Sequence, residues 1–146
     1  MNEDKMVAIA EKAKEEFLKK LSGFALIEPV KIEISREKTS GRPASSGPCD
    51  NYSVYGVFLN PDETNKKAQA LGLTQYEEQH IRYLCCHEIA HQFTWKFQKQ
   101  LEELHGKTQY FELLADLIAD EIVTKAFPQY KEIAEKYYDG QFSFRE

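Results

Sequence analysis

Cysteine is scarce in this chain of 146 residues: there are three, Cys49, Cys85 and Cys86. The number is odd and two of them are adjacent, so no disulfide framework follows. A reducing, cytoplasmic setting is the expectation. Long apolar runs are missing as well. No window approaches the roughly 18 uninterrupted apolar residues that a membrane span needs. The start, Met1-Asn2-Glu3-Asp4-Lys5, is polar and leads into no apolar core, so no secretory signal is expected. Positive charge is not in surplus: 19 Lys and Arg stand against 24 Asp and Glu, a net charge of −5. That argues against a protein that coats nucleic acid, which needs a basic face. Internal repeats and low-complexity tracts are absent. What remains is the balance of an ordinary globular protein, 42% apolar and 29% charged, long enough for one core and not for two. The expectation is a single domain over residues 1–146.

Apolar residues at Met6, Ile9, Ala10, Ala13, Phe17, Leu18 and Leu21 recur at three- and four-residue steps and predict an amphipathic helix, with Gly23 as its stop. Val30 to Ile34 alternates apolar and charged side chains, a half-buried strand. Ser35 to Asn51 is rich in Ser, Gly and Pro and reads as a long loop, a lid or a disordered stretch. Its Cys49 carries a thiol that could cap a metal. Tyr52 to Leu59 is β-branched and aromatic, a second strand. Asn60 caps a short helix with Pro61 at its first position and Gly72 at its end. Thr74, with Glu77 three residues on, predicts the start of a long helix that nothing interrupts before about Leu104. His105 to Thr108 is a turn. A helix from about Gln109 to Phe127 follows, with Leu113, Leu114, Leu117, Ile118, Ile122 and Val123 as its core stripe. A short helix around Tyr130 to Tyr138 comes last. The order predicts an α+β fold, a small sheet with helices before and after it.

Half of the four histidines fall in one five-residue string, His87-Glu88-Ile89-Ala90-His91, inside the long helix. Residues four apart lie on one helix face, so both imidazoles point the same way, the arrangement a zinc ion asks of two ligands. Glu88 is one step round, poorly placed to ligate and well placed to reach a water on the metal. A catalytic zinc takes three protein ligands and keeps one position open. The third is not on the same stretch, because Thr94 and Phe97 stand where an extended motif has Gly and His. Two candidates remain. Glu112 begins a helix that an antiparallel hairpin lays beside the first, and Asp116 follows on the same face, where its carboxylate can orient a ligand His. His105, in the turn, is the other. Glu112 is favoured. Cys85 and Cys86 are out of phase with the histidine face and read as buried small apolar residues.

The His-Glu-x-x-His helix followed by Glu112-Leu113-Leu114-Ala115-Asp116 resembles the zincin metallopeptidases of the gluzincin type, including the small ImmA/IrrE-like proteases. The resemblance spans about Leu84 to Ala126. It implies a small zincin-like domain: a short mixed or antiparallel sheet, an N-terminal helix, a long motif helix and a ligand-bearing helix after it. It implies His87, His91 and Glu112 as zinc ligands, Glu88 as general base and Asp116 as their outer support. A rival resemblance, to SprT-like proteases, rests on His105-Gly106 and makes His105 the third ligand. Both imply hydrolysis of a peptide or protein by metal-activated water. His105, Tyr110, Tyr52 and Tyr55 are candidates for a second donor to the developing oxyanion. If Tyr52 to Leu59 lies at the sheet edge, it could add a substrate strand, with Gly56 admitting the second backbone.

Overall fold

A computed structural model describes residues 1–22, 29–50 and 53–138. The first helix, α1 (Glu3–Leu21), is held at its start by Asn2, whose side chain accepts from the Lys5 amide at 2.7 Å. It buries Met6, Ile9, Ala10, Ala13, Phe17 and Leu21, the stripe its periodicity predicts. Gly23, the expected stop, lies outside the described residues.

The sheet has three strands, β1 (Val30–Ile34), β2 (Ala44–Cys49) and β3 (Val54–Leu59), in the order β1-β3-β2. β1 runs parallel to β3, with Val30 opposite Tyr55 and Ile34 opposite Leu59. β2 runs antiparallel to β3, with Ala44 opposite Leu59 and Cys49 opposite Val54. β3 is therefore the central strand, not an edge. Its residues from Tyr55 to Leu59 are all buried, which is why it reads as a continuous apolar run. Gly56 admits no substrate backbone. A side chain there would meet the Phe58 ring at 2.6 Å and Cys49 Sγ at 2.7 Å, so the space is filled by the sheet's own residues.

The expected loop from Ser35 to Asn51 contains two elements, the one-turn α2 (Arg36–Thr39) and β2 itself. Ser35 caps α2, accepting from the Lys38 amide. β2 escapes prediction because Ala-Ser-Ser-Gly-Pro-Cys shows no alternation, yet an edge strand tolerates proline and small polar residues. α3 (Pro61–Leu71) forms as expected, with Asn60 accepting from the Glu63 amide and Gly72 closing it at φ +71°.

The motif helix differs from expectation at both ends. Thr74–Tyr76 is a single 3-10 turn, and α4 (Glu77–Ala90) starts after it without a side-chain cap. Its C-terminal end is the larger correction. α4 stops at Ala90, His91–Phe93 makes another 3-10 turn, and α5 (Trp95–His105) begins afresh. Thr94 is the cause. It is buried, its amide bonds the His91 carbonyl at 3.0 Å, and its hydroxyl returns to the same carbonyl, so the ladder tightens by one residue.

α6 (Gln109–Ala126), capped by Thr108, lies against α4. It does not bury the leucine stripe that its sequence suggests. Its fully covered positions are Ala115, Ala119, Asp120 and Val123, while Leu113, Leu114 and Leu117 are half-buried and Ile118 is exposed. Small residues let the two helices approach and bring acids with them. α7 (Lys131–Tyr138) follows a 3-10 turn at Pro128–Tyr130. The core gathers α1, α4 and the sheet, with α6 and α7 closing one side. The molecule is α+β. Among the described residues no helix is long and apolar enough to cross a membrane.

Candidate metal centre

α4 is buried almost all round from His80 to Ala90, so both motif residues His87 and Glu88 are carried into the interior, 9% and 8% exposed. His91 follows at the helix end. The two imidazoles meet edge to face, with their Nε2 atoms 3.1 Å apart. Asp116 Oδ1, from α6, stands 3.1 Å from each of them.

The tautomers follow from the outer partners. Asp120 is a carboxylate that accepts from the hydroxyls of Tyr83 and Tyr138. His87 Nδ1, 2.7 Å from Asp120 Oδ1, must therefore carry its hydrogen and donate it. The Thr94 hydroxyl spends its hydrogen on the His91 carbonyl, so Thr94 Oγ1 accepts from His91 Nδ1–H at 2.9 Å. Both neutral rings then present bare Nε2 lone pairs to each other and to a carboxylate oxygen. Three electron pairs converge on one point and need a positive charge between them. A proton is one answer. Burial opposes a charged His87, but Asp120 and Asp116 outweigh it and raise its pKa well above the ordinary value. Burial likewise resists charge on Asp116, and the two histidines overcome it and hold its pKa far below the carboxylate range.

A divalent cation is the other answer, and the donor set fits zinc. Ligand atoms of a tetrahedron with bonds of about 2.0–2.1 Å lie about 3.3 Å apart. The three separations here are each 3.1 Å. Glu88 is close by: its carboxylate and the two imidazoles each place an atom within 4.8 Å of the others. Asp116 is nearer and is aligned with both rings, while Glu88 is engaged elsewhere. Its Oε1 accepts from Ser46 Oγ, on β2, at 2.7 Å.

Glu112, the third ligand favoured from the sequence, is not among the three converging atoms. It lines the same cavity, but its carboxylate turns to Arg42 at 3.9 Å. Asp116, expected behind the histidines, is 3.1 Å from both Nε2 atoms, and Asp120 lies behind His87 at Nδ1. Asp116 and Asp120 have the same four-residue spacing as Glu112 and Asp116. The signal was present, since Asp116 and Asp120 share a face with Ala115 and Ala119. His105 is exposed at the end of α5 and touches the Phe111 ring, and Tyr110 is 69% exposed on the same side. Neither lines the cavity around the histidines. Tyr52 lies outside the described residues. Tyr55 is buried and bonds Ser46. Cys85 gives its thiol to the Ala10 carbonyl, away from the site, and burial pushes the Cys86 thiol up to about 12.

Open space flanks the centre on both sides. A cavity of about 360 Å³ runs past Ser46, Glu88 and His91 to Trp95 and Gln98. A second, of about 190 Å³, lies between His87 and the tyrosines of α7. Arg42, Ala44, Glu88 and Asp116 border both, so the two form one cleft beside the β2 edge. No protein-family model, curated protein or solved structure matches this chain.

Proposed function

We propose that this protein is a zinc-dependent metallopeptidase of zincin type, with His87, His91 and Asp116 holding the metal and Glu88 as general base. The observation that carries the reading is the convergence of two Nε2 lone pairs and one carboxylate oxygen at mutual distances of 3.1 Å. An open cleft beside them supports a catalytic rather than a closed structural site. Bound there, zinc would supply Lewis acidity toward a carbonyl oxygen and a water activated near neutral pH. Glu88 takes the proton of the attacking water as the C–O bond forms. It returns that proton to the amine as the C–N bond breaks. Asp120 and Thr94 keep both rings in the tautomer that leaves Nε2 free. The position of β2 at the edge of the sheet supports an extended peptide as substrate, added as a further strand along the cleft. The three free thiols, two of them buried, are consistent with a reducing compartment, and we place the protein in the cytoplasm.

The test is metal content with peptide hydrolysis. Purified protein should hold one zinc per chain and cleave a mixed peptide library until a chelator is added. Asp116→Ala should lose the zinc, and Glu112→Ala should keep it. Glu88→Gln should keep the zinc and lose hydrolysis by about 10²-fold or more. A wild-type chain without zinc, or with zinc and no cleavage of any peptide, would overturn the reading.

A further inference from the structure

Glu88 is gripped from the sheet. Ser46 Oγ lies 2.7 Å from Glu88 Oε1 and 3.0 Å from the Tyr55 hydroxyl. A carboxylate only accepts, so the single hydroxyl hydrogen of Ser46 goes to Glu88. Ser46 Oγ must then accept from Tyr55 O–H. The direction of the whole chain is fixed: Tyr55 to Ser46 to Glu88. Tyr55 is 1% exposed, near the start of the central strand β3, and Ser46 lies on the edge strand β2, in direct contact with Glu88 on α4. The chain therefore crosses from core strand to edge strand to motif helix.

A glutamate side chain on a helix has three free torsions and two equivalent oxygens. A general base must present one oxygen to the reacting water and keep it there through proton transfer. One bonded oxygen removes that freedom and leaves the other for chemistry. Resting on the hydrolase reading above, we propose that Ser46, backed by Tyr55, is a positioning residue that fixes Glu88 through Oε1 and leaves Oε2 to move protons. Neither residue touches the metal ligands' nitrogen atoms or supplies a ligand. Their effect is on the aim of the base.

The experiment compares Ser46→Ala, Ser46→Thr and Tyr55→Phe in the full zinc-loaded chain. Ser46→Ala should lower kcat about tenfold, with KM and zinc content unchanged. Ser46→Thr, which retains the hydroxyl, should restore most of the rate. Tyr55→Phe should cost less than Ser46→Ala. A second readout needs no turnover. In thermal unfolding of the zinc-loaded proteins, Ser46→Ala and Glu88→Ala should be non-additive, the double variant melting close to Glu88→Ala alone. Full kcat in Ser46→Ala, or a loss that appears in KM or in zinc content, overturns the positioning role while leaving the peptidase reading intact. Additive melting shifts overturn the contact itself. A wild-type chain that hydrolyses nothing removes the base and its support together, and additivity of the melting shifts would still decide whether Ser46 holds Glu88.

Discussion

Asp120 collects hydrogen bonds from Tyr83 and His87 on α4 and from Tyr138 on α7. It sits behind His87 and outside the three converging donors, yet it sets the ring's tautomer and raises its basicity. Tyr83 stays a donor throughout, since burial and then the Asp120 charge push its pKa well above 10. Exchanging the carboxylate for an amide keeps the shape and removes the charge. Asp120→Asn should weaken zinc binding by about 10- to 100-fold, the scale of such outer-partner losses. Competition against a chromophoric chelator measures it. Unchanged affinity would mean that His87 is aimed by packing alone.

At the scale of elements, the seam between α4 and α6 decides whether the acids reach the histidines. Ala115 and Ala119 are fully covered there. Ala119→Leu would overpack the seam, costing about 1–3 kcal/mol, and would draw Asp116 and Asp120 back from the rings. Urea unfolding should show the loss of stability, and zinc binding should weaken in parallel. A stable variant with normal zinc affinity would show that the helices need no such closeness. The same seam explains what could be read from sequence. The pair of histidines four apart was legible because helical spacing alone puts them on one face. The acids were legible as a four-residue pattern, but which of them faces the histidines was not, because the leucines of α6 suggest a different packed face. They are only half-buried; the alanines and acids take the seam instead. β2 was invisible because an edge strand needs no apolar alternation, and the break after Ala90 was invisible because it depends on one buried threonine hydroxyl finding a carbonyl and an imidazole.

For the whole molecule, the clearest pH dependence comes from a histidine outside the candidate metal centre. His80 is completely buried, bonded to the Tyr137 hydroxyl, and its Nδ1 has no hydrogen-bond partner among the described residues. Burial, and then the charge of Lys67, bring its pKa down to about 4. The unfolded chain takes up this proton near pH 6.5, so it binds more protons than the native state between those values. Stability is therefore intact above about 6.5 and falls as the solution is acidified toward 4, by about 3 kcal/mol at most. Melting curves at pH 7 and pH 4.5 should show the drop, and His80→Gln should flatten it. A melting temperature independent of pH in that window would contradict a neutral buried ring. Tyr138, one residue beyond His80's partner, carries another consequence. Its hydroxyl bonds Asp120, which in turn holds His87, so α7 is tied to the candidate metal centre through a side chain that is itself no proposed ligand. On the reading proposed above, any agent that prises that helix from the body, a protease or a binding protein, would release a bound ion while every coordinating side chain remained in place.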